Sequence, residues 1–487
     1  MINEVEYNIE KCARENLGDN FEFRENQLEI VAKIVRNCMS DNGKQSHLVQ
    51  APTGSGKSII LILAALTLSE YYDKKSFLLC SDLSLWKQYD DFIDSHKELK
   101  YKIGRIKGSS NYVCQKNNKE VTKGECKVAK VSWKTLLNPT LAESVGYDCS
   151  RFCPYIKARR QALMSKVTIM TYQMYFRAVA GHFADGDSYG WSVRPVVFCD
   201  ECHNIPDLLQ GAYCPQVKDT NLSKLLHIYD YAMSLNNNMF ADEWQEELSS
   251  LSTDVASTHS QLKDQLDRLF DGMYDCQDNA ILMDKVKAYQ NKISQFNGMV
   301  EKIMEKLSAN IKGKGYVSST EYEVYEECEW QQRHESMLNT YLSVIVGEDN
   351  KEYVVVTPNE HAIELFNPKT GKMAKKKERT IDLQCAKEDF IAKNFLLFGP
   401  EHVVMTSATI GNMKSFEENL GIDNAIEDNL PSLFDFTNSP IYVLSRWKMS
   451  QKFKEENFPK VQKATYELCN RYANKKGIIQ TWTYDLA

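Results

Sequence analysis

The apolar positions of this chain follow two regimes. Between residues 21 and 210, short continuous apolar runs alternate with longer helical stretches. "HLVQ" (47–50), "SFLLCS" (76–81), "VTIMTY" (167–172) and "VVFCDE" (196–201) are the runs, and helices are expected over "KSIILILAALTLSEYY" and from about Asp82. Strands that are apolar at successive positions are buried on both faces. Separated by helices, they predict a parallel sheet covered on both sides. From about Asn221 to Leu307 the period changes. Val286, Tyr289, Ile293, Phe296, Val300, Ile303 and Leu307 are spaced by threes and fours, which predicts one face of a long amphipathic helix. Leu262, Leu266, Leu269 and Met273 repeat the spacing. Helix packing alone accounts for both stripes. Further on, "EYVVVTP" (352–358) and "AIELFNP" (362–368) read as the strands of a hairpin, and "KTGKMAKKKER" (369–379) as a solvated loop. The α/β character returns at "HVVMTSATIG" (402–411), and there is no internal repeat.

The stretch from about Lys107 to Arg160 breaks the strand–helix alternation. It is polar and reads as an insertion, and it holds Cys114, Cys126, Cys149 and Cys153. The chain has 14 cysteines in 487 residues, and isolated ones such as Cys38, Cys80 and Cys469 read as small buried hydrophobes. The length suits about three domains. The acidic N-terminus "MINEVEYNIEKC" has no apolar core of a secretory signal, and the apolar run Ile59–Leu68 is too short to cross a bilayer. A cytoplasmic protein is expected, at the nucleoid or in the nucleus if it works on DNA, with no membrane partner. There the cysteines do not form a disulfide framework. A net charge of −7 argues against a generally basic nucleic-acid binder but leaves room for local basic grooves.

Three strand ends carry chemistry. "APTGSGKS", Ala51–Pro52–Thr53–Gly54–Ser55–Gly56–Lys57–Ser58, follows a strand and opens a helix. Glycines there let backbone N–H groups turn toward phosphate oxygens at the positive end of a helix. Lys57 can reach the β- and γ-phosphates, and Ser58 can bind Mg²⁺. Ala51 stands where the general pattern has glycine. "VVFCDECHN" (196–204) is a buried strand ending in two acids. Asp200 can hold Mg²⁺ and Glu201 can polarise the attacking water, both at the carboxyl edge of the sheet. "MTSATIG" (405–411) adds the hydroxyls of Thr406, Ser407 and Thr409. The phosphate loop and the acid pair together indicate NTP hydrolysis.

A phosphate loop "APTGSGKS", then "DECH", then "TSAT" resembles the motif order of superfamily 2 helicases. "KGSSNYVC" (107–114) with three further cysteines and "CPYIKARR" narrows this to the XPD/DinG family of iron–sulfur DNA helicases. The resemblance covers most of residues 20–210 and 395–487. It implies an ATP-dependent helicase moving 5′→3′ on single-stranded DNA and unwinding forked or duplex DNA. Residues 1–106, 163–210 and 396–436 would form the first RecA-like α/β domain. Residues 107–162 would be an inserted [4Fe–4S] domain and 211–395 an inserted, mainly helical arch. Cys114, Cys126, Cys149 and Cys153 would be the cluster ligands, and the basic residues after Cys153 (Lys157, Arg159, Arg160) would face DNA phosphates. Thiolates suit iron–sulfur clusters, yet four cysteines also make a structural zinc site, and the spacing does not choose between them. Tyr112, Phe152 and Tyr155 pack on this segment or stack on bases. His203 matches the family histidine that links nucleotide site to DNA, Cys202 replaces its usual alanine, and Cys199 is a core strand residue.

"FRENQ" (23–27) lies where related helicases have an adenine-contacting glutamine, so Arg24 and Gln27 are nucleotide-site candidates or an exposed helix start. Residues 437–487 resemble the beginning of a second RecA-like domain, with "SPIYVLSRW" (439–447) as lead-in and "GIIQTWTY" as first strand; the remainder would come from a longer chain or another polypeptide. ATP binds between two such domains in the family. A non-catalytic module that binds nucleotide and single-stranded DNA is therefore the alternative to an ATP hydrolase. A damage-sensing or nuclease-associated factor ranks last, because no nuclease carboxylate cluster is visible.

Overall fold

The structure, a computed structural model, describes residues 4–40, 43–124, 126, 131–178, 191–239, 259–276, 278–314, 318–346, 354–367, 372–432 and 454–474. The chain forms two compact units, 1–432 and 433–487. In the second, the described element is a helix, Lys454–Arg471. "SPIYVLSRW" and "GIIQTWTY" lie outside the described residues.

The first unit is built on a seven-stranded parallel sheet. Its strands are β1 (Gln45–Gln50), β2 (Ser76–Cys80), β3 (Ile103–Arg105), β4 (Val167–Thr171), β5 (Val196–Cys199), β9 (His402–Ser407) and β10 (Ile426–Asn429), in the order β10-β1-β9-β5-β2-β4-β3. The five strands read from apolar runs form its contiguous centre. Alternate residues of one strand enter opposite layers: Leu48, Phe77 and Val197 face one core, Val49, Leu78 and Phe198 the other. The second layer is completed by α1 (Glu4–Leu17), α2 (Gln27–Met39), α3 (Lys57–Tyr71) and α4 (Leu83–Ser95). Helix α3 is buried without interruption from Ile60 to Ser69, as its unbroken apolar sequence requires. Asp82 caps α4 by accepting from the N–H groups of Ser84 and Leu85.

Two long excursions leave the sheet. One joins β3 to β4 and carries the four clustered cysteines on short turns, ending in helix Pro154–Met164. The other joins β5 to β9. It runs through helix Ile205–Tyr213, β6 (Gln216–Lys218), helices Asp219–Met239, His259–Tyr274, Asn279–Ser294, Asn297–Lys314 and Ser319–Thr340, then β7 (Val354–Asn367) and β8 (Lys372–Cys385), and returns by helix Asp389–Phe395. Strands β6, β8 and β7 form an antiparallel sheet in that order.

Two expectations are corrected here. The stripe from Val286 to Leu307 lies on two helices, with the chain turning at Gln295 and Phe296. All seven stripe residues are nonetheless buried. The apolar runs 352–358 and 362–368 are not partners: from Val354 on they belong to the single strand β7. Its partner β8 contains the lysine run, expected to be a solvated loop. A cross-strand charge pair supports the pairing, since Glu360 bonds Lys377 at 2.6 Å. Pro358 is tolerated because β7 is an edge strand of this sheet.

Candidate nucleotide site

The register of β1, β9 and β5 brings three motifs to one edge. Gln50 pairs with Ser407, and Cys199 pairs with Met405. Ala51 N–H then donates to the Ser407 carbonyl at 2.9 Å, so the phosphate loop leaves the sheet beside the "TSAT" strand. Ala51, in place of the pattern's glycine, is fully buried under the loop. Gly54 and Gly56 have φ of 90° and 77°, the left-handed region that side-chain-bearing residues rarely adopt. At Gly56 there is a second reason, for a Cβ would lie 2.3 Å from Gln27 Nε2. The Ser55 hydroxyl is buried with no protein partner, a polar group left for a ligand in the loop. Pro52 and Thr53 complete the turn, with Ser55 N–H on the Pro52 carbonyl at 3.1 Å.

Arg24 and Gln27 both grip this loop. Arg24 donates to the Gly54 carbonyl, and Gln27 Nε2 donates to the Ser55 carbonyl at 2.7 Å. Gln27 Oε1 accepts from Arg24 N–H at 2.8 Å. The buried Gln27 amide is thus committed to shaping the phosphate loop.

Opposite the loop, β5 ends in the acids. Glu201 has φ of 49°, a left-handed conformation that turns its carboxylate back across the sheet edge. Glu201 Oε1 lies 3.4 Å from Lys57 Nζ. Glu201 Oε2 accepts from Ser407 Oγ at 3.3 Å, and His203 Nδ1 is 2.7 Å from the same hydroxyl. Acid, histidine and "TSAT" serine therefore form one network. Thr409 closes the turn, its N–H on Ser407 Oγ at 3.3 Å.

Asp200 is almost completely buried. Its Oδ1 accepts from Glu201 N–H at 2.9 Å and Thr406 Oγ1 at 3.3 Å, and its Oδ2 accepts from Tyr89 Oη at 2.7 Å. Burial pushes this carboxyl above its ordinary range, and the Tyr89 hydrogen bond opposes that shift. Ser58, the other candidate Mg²⁺ ligand, opens α3 directly after Lys57. Cys199 and Cys202 are buried, and burial holds the Cys199 thiol at about 12, so they are inert core residues. Tyr89 was not singled out from the sequence. It carries no motif, and only the packing of α4 on the sheet beside β2 and β4 brings it to Asp200.

The four clustered cysteines are all half-buried. Gly124 sits between two of them: a Cβ there would meet Cys126 Sγ at 3.6 Å and Cys114 Sγ at 3.7 Å. Cys153 N–H donates to the Cys149 carbonyl at 3.0 Å. Burial first, then the neighbouring Cys114, raises the Cys149 thiol above its ordinary value. No group of three or more His, Cys, Asp or Glu side chains stands ready to hold a metal ion among the described residues. A single ion needs its ligands within bond lengths near 2.3 Å for sulfur.

The basic residues after the cysteines correct the expectation that all face DNA. Arg159 is buried, bonded to Tyr155 Oη at 3.1 Å and lying over the Trp191 ring. Arg160 donates to the carbonyls of Leu137 at 2.8 Å and Leu136 at 3.0 Å. Lys157 is exposed. Tyr112 and Tyr155 pack edge to face at 5.4 Å, whereas Phe152 is 70% exposed.

Comparison with known proteins covers the region of the first two motifs. Residues 20–235 match the family described as type III restriction enzyme, res subunit. A probable ATP-dependent helicase of Methanocaldococcus jannaschii is 24% identical over 204 residues, which are 39% of this chain and 29% of that protein. The alignment therefore spans under a third of the relative's length. A solved structure titled XPD helicase covers 84% of this chain and 62% of its own at 13% identity and a TM-score of 0.40. One titled truncated XPD covers 84% and 100% at 12% identity and 0.42. Over this region the chain is similar to an ATP-dependent helicase and to the res-subunit family. No described helix is long and apolar enough to cross a membrane.

Proposed function

We propose that this chain hydrolyses ATP to move 5′→3′ along single-stranded DNA and to unwind forked or duplex DNA, in the manner of XPD/DinG helicases. The observation that carries the reading is the meeting of Lys57, Asp200, Glu201 and Ser407 at one sheet edge around an anion-binding loop. Phosphoryl transfer asks a protein mainly for positioning and charge. Backbone N–H groups of residues 54–58 would cradle the phosphates, and Lys57 would exchange its Glu201 partner for phosphate oxygens. Glu201, so released, would orient the attacking water. Ser58 and Asp200 would hold Mg²⁺, which neutralises charge on the β- and γ-oxygens when bound. The His203–Ser407 contact supports a link from this edge to bound DNA.

Cys114, Cys126, Cys149 and Cys153 would hold a [4Fe–4S] cluster, with zinc the rival metal. The proximity of Cys114 and Cys126 across Gly124 supports a shared site, and a cluster suits thiolates set wider apart than one ion requires. Residues 107–162 would then be the cluster domain and 211–395 the arch, together guiding the DNA strand.

The test is ATP hydrolysis by the 487-residue chain, purified without oxygen, with and without single-stranded DNA, beside Lys57→Ala. DNA-stimulated turnover that vanishes in the variant, together with its ATP binding, is expected. Unchanged nucleotide affinity in Lys57→Ala would overturn the phosphate-loop assignment. ATP binding without turnover in the wild type would replace the enzyme by a nucleotide- and DNA-binding subunit.

A further inference from the structure

Helix α4 offers the nucleotide site a group that no motif announces. Tyr89 is 2% exposed, and its ring lies in the core layer among Leu78, Cys80 and Trp86. A buried tyrosine needs a partner for its hydroxyl. Here the partner is Asp200 Oδ2, at 2.7 Å. This phenol thus holds one of the side chains read as the divalent-cation ligands, from a helix that carries no motif.

The rest of the Asp200 environment makes this bond matter. Glu201 N–H and Thr406 Oγ1 both act on Oδ1, whereas the donor recorded at Oδ2 is Tyr89. Three donors from three elements fix the carboxylate plane, and the Tyr172 hydroxyl fixes the backbone through the Asp200 carbonyl at 3.0 Å. A carboxylate oxygen has two lone pairs, so Oδ2 can keep the Tyr89 bond and still present the other to a cation or its water. Groups that orient metal ligands in this way change metal affinity by about 10- to 100-fold when removed.

We propose that Tyr89 is a positioning residue for the divalent cation, its hydroxyl holding Asp200 Oδ2 so that the carboxylate keeps one fixed arrangement at the sheet edge. The inference rests on the nucleotide-site reading and deepens it. Through Tyr89 the cation's grip also depends on the seat of α4, whose Trp86 ring carries the Lys107 ammonium at 4.5 Å at the root of the cysteine-bearing excursion.

Tyr89→Phe keeps the ring and removes only the hydroxyl. Mn²⁺ is the probe, its binding to the full chain followed by electron paramagnetic resonance in the presence of ADP. ADP affinity is measured in parallel with all metal chelated. We expect Mn²⁺ affinity to fall about 10-fold in the variant, while metal-free ADP affinity stays within about twofold. Asp200→Asn, made alone and with Tyr89→Phe, should give a double variant less impaired than the product of the single effects, because the hydroxyl acts through that carboxylate. Unchanged Mn²⁺ affinity in Tyr89→Phe would make Tyr89 a core tyrosine and overturn the proposal alone. A parallel fall in metal-free ADP affinity would also overturn it, showing damage to the loop instead of to the cation site. Failure of the wild-type chain to bind ADP with Mn²⁺ would overturn the nucleotide-site reading, and this inference with it.

Discussion

The parallel sheet and the excursions that leave it obtain their geometry from different sources. On the sheet, backbone ladders set the register, and the register alone brings Ala51, Asp200 and Ser407 to one edge. The segment between β3 and β4 has one isolated bridge, Val113–Glu120, and otherwise short helices and turns among its described residues. Its shape depends on a few side chains, such as Arg160 on two carbonyls and Gly124 against two sulfurs. Losing a side chain at the sheet edge should therefore remove chemistry and leave the fold. Losing one in the excursion should undo the local fold and leave the distant chemistry. Cys149→Ser is the largest break of this kind. We expect the anaerobically purified variant to lose essentially all bound iron, and residues 107–162 to become readily cleaved by protease, with ATP affinity kept within about twofold. Full iron retention would remove Cys149 from the ligand set, and zinc in the wild type would replace the cluster.

The same contrast explains what the sequence made legible. A phosphate loop is local: strand, glycines at the two positive-φ positions, then helix, all within a dozen residues. The five central strands were readable because a strand buried on both faces must be apolar throughout. The edge strands β3 and β10 were missed. "IGR" is three residues long, and "IEDN" is mostly polar, because an edge strand needs no second apolar neighbour. The break at Gln295 left the apolar spacing intact, since Ile293 and Phe296 keep a helical interval across the turn. The lysines of β8 read as a loop because their strand pairing is with β7, and Lys377's charge partner Glu360 lies seventeen residues earlier. Tyr89 and Arg159 owe their roles to packing alone. Pairing information between distant segments is what periodicity lacks.

The second excursion can be set against the sheet through pH. His334, on helix Ser319–Thr340, stacks on Trp330 at 5.0 Å, and its Nε2 is buried without a partner. Burial, with Lys224 nearby, lowers its pKa from 6.5 to about 4. The unfolded segment then binds more protons than the folded one between these values. Stability from His334 is complete above pH 6.5 and is lost as the pH falls toward 4, by at most about 3 kcal/mol. Amide protection factors along Ser319–Thr340, corrected for the intrinsic pH dependence of exchange, should fall over that interval in the wild type and much less in His334→Gln. Parallel profiles in the two proteins would exclude His334 as the sensitive group.

The smallest expected effect separates structure from DNA contact among neighbours in one helix. Helix Trp133–Leu137 ends in carbonyls with no intrahelical partner, and Arg160 supplies two of them with donors. A cation at a helix C-terminus also meets the negative end of its dipole. Arg160→Ala should therefore cost about 1–2 kcal/mol of local stability, the worth of hydrogen bonds to a charged group less what water restores. It should leave the salt dependence of single-stranded DNA binding unchanged, because a guanidinium held on carbonyls releases no counterion from DNA. Lys157, exposed three residues earlier, should do the reverse. Lys157→Ala should leave stability alone and reduce the slope of log affinity against log salt by about 0.7, the contribution of one phosphate contact. A reduced slope in Arg160→Ala would mean that its guanidinium leaves the carbonyls when DNA binds. The excursion would then rearrange on its substrate, and the contrast with the rigid sheet would become one of motion as well as of construction.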